Sequence, residues 1–126
     1  MMDRIFLIVA SVYGFTGVGL GAFGAHALRD QLDARGLEVW DTAVRYQLIH
    51  ALFLLGIFVV GKLEAEAGHG WLKAAGYAAC AGVVLFSGSL YGLVLAKLRF
   101  LGPVTPLGGL CLMLAWVFVL VHVLRS

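Results

Sequence analysis

Four apolar stretches, at about residues 5–28, 43–61, 72–96 and 107–124, occupy most of a chain of 126 residues. No Asp, Glu, Lys or Arg falls within Ile5–Leu28, Leu48–Gly61, Ala74–Ala96 or Leu107–Leu124. A helix crossing a bilayer core about 30 Å thick needs roughly 20 apolar residues, which each stretch approaches or reaches. A soluble amphipathic helix would carry a polar face at a period of 3.6 residues, whereas these segments are apolar all round. The fold class expected is therefore all-α: an integral membrane four-helix bundle, with residues 1–126 forming a single four-span domain.

Lipid as solvent explains the composition, 62% hydrophobic and 13% charged with a mean hydropathy of +0.98, far from that of an ordinary globular domain. The connections, about 14, 10 and 10 residues long, leave no room for a soluble catalytic unit. A net charge of +2, scattered along the chain, gives no footprint for nucleic acid. Cys80 and Cys111 lie in the third and fourth spans, about 12 Å apart in depth at 1.5 Å per residue, too far for a disulfide. They read as small packing residues. The start could pass for a secretory signal, with Arg4, an apolar run and then Ala25 and Ala27, but the run exceeds the usual signal core of 7–15 residues. It is read as a retained first helix.

An even number of spans puts both termini on one side, here side A, with the loop Lys62–Trp71. Side B carries the loops Arg29–Thr42 and Lys97–Pro106. Four Lys and Arg on side A against five on side B do not set orientation. Within the first side B loop, Leu37, Trp40 and Val44 share a helical face, and Trp40 is typical of the headgroup layer. Two readings stand: a short interfacial helix entering the second span after a break near Gly36, or a structured turn anchored by its tryptophan.

The first and third spans are rich in small residues. Gly14, Gly17, Gly21, Gly24 and Ala25 form a ridge on the first, with a G-x-x-x-G at Gly17 and Gly21; Gly82, Ser87, Gly88, Ser89 and Gly92 do so on the third. Small ridges let helices approach closely in lipid, where packing and interhelical hydrogen bonds replace the hydrophobic drive. Helices one and three are expected to pack together at the bundle centre, with Gly17, Gly21, Gly24 and Gly88 as contacts.

Unusual polar residues gather towards side B. His26 closes the first span, Tyr46, Gln47 and His50 open the second, Ser87, Ser89 and Tyr91 end the third, and Thr105 opens the fourth, all within about 15 Å of that side. Unpaired polar groups are costly in a bilayer, so these residues are expected to face one another, with His50 pointing towards the Ser87–Tyr91 stretch and His26. Two readings stand for them: interhelical glue or a polar ligand pocket. Two histidines without a carboxylate or cysteine at their depth do not make a zinc site, and four short helices crowded with glycine leave no haem cleft. No metal and no cofactor is expected. In Gly102-Pro103-Val104-Thr105-Pro106-Leu107-Gly108-Gly109, Thr105 reads as an N-cap and Pro106 as the first helical residue; Gly108 and Gly109 would let another backbone approach.

Gly21-Ala22-Phe23-Gly24-Ala25-His26-Ala27-Leu28, Tyr46-Gln47-Leu48-Ile49-His50-Ala51-Leu52, Leu85-Phe86-Ser87-Gly88-Ser89-Leu90-Tyr91 and Thr105-Pro106-Leu107-Gly108-Gly109 occur in that order. Together they resemble the YgdD/YwdK-like family of small four-helix inner-membrane proteins, which has eukaryotic transmembrane relatives. The resemblance spans nearly the whole chain. It implies the four-span fold and a bacterial inner (plasma) membrane location, and it transfers no reaction, the family being one of unknown function.

The functional expectation is a non-enzymatic scaffold or accessory subunit, surrounded by membrane lipid and forming a homo-oligomer or joining a membrane-protein partner, with a polar pocket near side B. The first rival is a small transporter or channel using His50 and His26, against which stands the lack of intramembrane carboxylates and cations. The second is a lipid or quinone binder in which Tyr46, His50 and Tyr91 hold a polar head. No nucleophile–base–orienter set supports acyl or phosphoryl transfer.

Overall fold

A computed structural model describes residues 2–64 and 68–125. Helix α1 (Ile5–His26) and helix α2 (Ala34–Leu63) form the first two spans. The third comprises α3 (Gly70–Val83), a π-helical turn (Val84–Gly88) and α4 (Ser89–Leu95). After a 3-10 turn (Arg99–Leu101), α5 (Val104–Arg125) is the fourth. Among the described residues these four segments are long and apolar enough to cross a membrane, and each connection is too short to do anything but return the chain beside the helix it left.

Of the two readings of the first side B loop, the interfacial helix is not a separate element. Asp33 caps α2, accepting a hydrogen bond from the Gly36 N–H at 2.7 Å, and the helix then runs unbroken for 30 residues. At 1.5 Å per residue that is about 45 Å, so the first turns of α2 rise above the hydrocarbon core. Trp40 is a second correction: it is buried, not an outward anchor in the headgroups. Its indole N–H donates to the Leu20 carbonyl at 2.9 Å, and its ring lies 4.7 Å from that of Tyr91. Buried indoles find such acceptors because an unpaired N–H in lipid is costly.

Helices one and three do not form the bundle centre. The principal pairings are α1 with α2 and α3 with α5, two antiparallel hairpins. The small ridge of α1 receives the bulk of α2: a Cβ at Gly17 would overlap Leu48, one at Gly24 would overlap Trp40, and one at Gly21 would sit 3.2 Å from Val44. Small against large fills space as well as small against small, and the short α1–α2 connection makes the former pairing local. Helices α1 and α3 meet towards side A, where Phe6 fills the space beside Gly76 and the Tyr13 hydroxyl donates to the Cys80 carbonyl at 2.7 Å. Gly88 is also corrected: it is exposed with open space where a Cβ would stand, so it is not a helix contact.

Side A is closed by the N-terminal residues. Met2 is buried against Gly61, and Asp3 accepts from the Tyr77 hydroxyl and lies 3.8 Å from the Lys73 ammonium. Glu64 and His122 pair at 2.7 Å across α2 and α5.

At the other end, Lys97 has φ 54° immediately beyond α4, a helix-ending conformation that favours glycine. Its side chain is exposed. Lys97→Gly is therefore expected to stabilise the protein by about 1 kcal/mol in neutral detergent, read as a higher melting temperature.

Candidate functional site

The polar residues of the side B half sort into bonded groups according to the direction in which each helix aims them. Residues 87 and 91 are four apart and share a face, while residue 89 lies roughly opposite at 100° per residue. Ser87 accordingly donates to the Ala43 carbonyl of α2 at 2.7 Å, and the Tyr91 hydroxyl donates to Gln47 Oε1 at 2.7 Å. Ser89 turns the other way and meets the hydroxyl of Thr105 on α5. Depth alone puts these three side chains together. Counting angle as well as depth would have separated them.

Gln47 links three spans. Its Nε2 donates to the Tyr13 carbonyl at 3.0 Å and to Thr16 Oγ1 at 2.8 Å on α1, while its Oε1 accepts from Tyr91. Tyr13 and Thr16 were not among the expected site residues. They lie within one helical turn of Gly17, which is the sequence signal that could have found them, since a glycine at a close crossing marks where a neighbouring side chain can reach backbone and hydroxyl.

His50 is buried and points inward, but neither towards Ser87 nor towards His26. Its Nδ1 lies 2.8 Å from the Tyr46 carbonyl, and its Nε2 accepts from the Trp116 indole N–H at 3.1 Å. A carbonyl only accepts and an indole only donates, so these partners select the neutral imidazole with the proton on Nδ1. Both nitrogens are occupied, which leaves no lone pair free for a metal and no vacant position for a transferred proton. Trp116 was missed because a tryptophan in mid-span reads as apolar bulk until a partner is seen. Tyr46 stacks at 6.3 Å on His50 and packs its ring 4.8 Å from Phe86, with substantial exposure.

His26 stands apart. It is exposed at the end of α1, a correction to the expectation that it faces His50. Thr105 is the second residue of α5 rather than its cap, because the helix begins at Val104; a shift of one residue at a helix end is ordinary. Gly108 lies against the backbone of Leu85 and Phe86, where an added Cβ would come within 2.6 Å of the Phe86 Cα. Gly109 is looser, its Cβ position 3.7 Å from the Phe86 ring. The close approach falls on the π-helical turn, a local widening of the helix that recurs at functional positions.

Among the described residues, no three His, Cys, Asp or Glu side chains gather as a metal site would require. Recesses lie beside the bonded network. One, of about 330 Å³, sits between α1 and α2 over Gly24 and Trp40, with Arg29 and Asp41 at its edge. Another, of about 650 Å³, runs between the start of α2 and α4.

His50→Leu is expected to leave the Trp116 N–H unpaired and to lower stability in detergent by about 1–3 kcal/mol. His50→Gln, which can donate to the Tyr46 carbonyl and accept from Trp116, is expected to melt close to the parent protein. The two unfolding curves check both statements.

The family described as "Protein of unknown function (DUF423)" matches residues 20–109. The chain is 41% identical over 123 residues to the UPF0382 membrane protein YwdK of Bacillus subtilis, covering 97% of this chain and 98% of that protein. It is 38% identical over 125 residues to the UPF0382 inner membrane protein YgdD of Escherichia coli K12, covering 99% of this chain and 93% of that one. A Staphylococcus epidermidis UPF0382 membrane protein is 35% identical over 122 residues, covering 97% of each. No solved structure matches the chain. With four membrane-crossing helices and relatives matched along almost their whole length, the chain belongs to the DUF423 (UPF0382) family of small integral membrane proteins of the bacterial inner, or plasma, membrane.

Proposed function

We propose that the protein is a non-enzymatic membrane scaffold or accessory subunit, working through its association with itself or with another membrane protein. The observation that supports this reading is the saturation of the inner polar groups of the side B half; buried His69, near side A, is the exception, with neither ring nitrogen hydrogen-bonded among the described residues. Gln47, His50, Ser87, Ser89, Tyr91 and Thr105 all engage partners within the chain. A catalytic or transport site needs polar groups held ready for something else, with a base beside a nucleophile or a titratable group along a water path. Here the same residues tie α1, α2, the third span and α5 to one another, each interhelical bond contributing about 0.6–1.7 kcal/mol in lipid.

The test is extraction of the full chain from its native membranes in a lipid-retaining polymer, followed by mass spectrometry of everything that accompanies it. A second copy or another membrane protein at fixed stoichiometry is the expected result. A stoichiometric small molecule, retained by the parent protein and lost on His50→Gln with the fold intact, would replace this reading with a ligand pocket at the side B cluster.

A further inference from the structure

The groove of about 650 Å³ between the start of α2 and α4 is lined by apolar side chains together with two cations, Arg35 and Lys97, and one anion, Asp33. Leu90, Leu93 and Val94 of α4 line it on one side, and Leu32 and Val39 on the other. Arg35 stands at the edge one turn before Val39, and Lys97 stands at the facing edge just beyond the end of α4. Asp33 also borders the groove; one of its carboxylate oxygens accepts from the Gly36 N–H and the group keeps its negative charge, so the charged lining is two cations against one anion. Glu38 lies with Arg35 around a smaller neighbouring recess of about 190 Å³. Neither Arg35 nor Lys97 makes an ion pair among the described residues.

We infer that this groove binds an anionic glycerophospholipid, its phosphate between Arg35 and Lys97 and the upper part of an acyl chain along Leu90, Leu93 and Val94. The height is right for it. Lys97 follows the last residues of the third span, and Arg35 is in the part of α2 that rises above the hydrocarbon core, so both cations stand at headgroup level with apolar residues below them. Cations from two elements facing each other across a groove grip a phosphate from both sides, and Arg presents the fork that phosphate oxygens match. The apolar lining would serve no purpose for a free anion and is what selects a lipid.

The test uses purified full-length protein in neutral detergent, titrated with phosphatidylglycerol or phosphatidylcholine of identical acyl chains and followed by native mass spectrometry. Phosphatidylglycerol is expected to bind more tightly. Arg35→Gln and Lys97→Gly are each expected to weaken it about fivefold, and the pair roughly thirtyfold, with phosphatidylcholine little changed. Lys97→Gly removes a cation at a position where glycine suits the backbone, so its loss of lipid cannot be attributed to a damaged fold. Arg125→Gln, at the opposite membrane face, serves as the control and should bind as the parent does. Equal binding of the two lipids, or a preference that survives the double variant, would overturn the inference. Displacement of phosphatidylglycerol by inorganic phosphate at equal concentration would also overturn it, in favour of a simple anion site.

Discussion

Gly108→Ala is expected to destabilise the protein by about 3 kcal/mol or more, although it adds a single methyl group. The methyl carbon would stand 2.6 Å from both the Leu85 carbonyl carbon and the Phe86 Cα. Backbone cannot swing aside as a side chain does, so α5 must move away from the third span as a body. That separation would also strain the Ser89–Thr105 contact, which lies on the same interface. The neighbouring glycine is the internal control. Gly109→Ala places its methyl 3.7 Å from the Phe86 ring, an ordinary contact, and the better helix propensity of alanine should leave stability unchanged or raised by up to about 1 kcal/mol. Thermal unfolding of the two variants in the same detergent is the measurement. Equal melting temperatures would show that the α5 approach to the π-helical turn is not tight.

Gln47→Leu is the second large effect, expected at about 2–3 kcal/mol. The substitution roughly preserves volume and removes three hydrogen bonds, to Tyr13, Thr16 and Tyr91. At about 0.6–1.7 kcal/mol for each interhelical bond, their joint loss falls in that range. The Tyr91 hydroxyl is left without its acceptor, which adds cost. Tyr91→Phe removes only one of the three bonds and takes the stranded donor with it. It should therefore cost less than half as much, and the double variant should fall short of the sum, because the two side chains share a bond. Additive losses would mean that Gln47 and Tyr91 do not act together.

Hydropathy and helical period are local properties, and what depends on them was legible in the chain. Leu48–Gly61 and Leu107–Leu124 contain no charge and are apolar all round, which is enough to place them in lipid and make them helical, since lipid forbids unpaired backbone. The ordered motifs from Gly21 to Gly109 likewise carried the family resemblance. The depth of His50, Gln47 and Tyr91 followed from counting residues. Which of them meet did not, because a partner depends on the angle at which each helix is turned and on which helix stands beside it. Only the tertiary structure decided that α1 lays Gly17, Gly21 and Gly24 against α2 instead of the third span. It also turned Trp40 inward, gave His50 to Trp116 and left His26 outside. In helices apolar on every face, no polar stripe records which side is buried, so the packing of particular side chains into particular glycine gaps settles it.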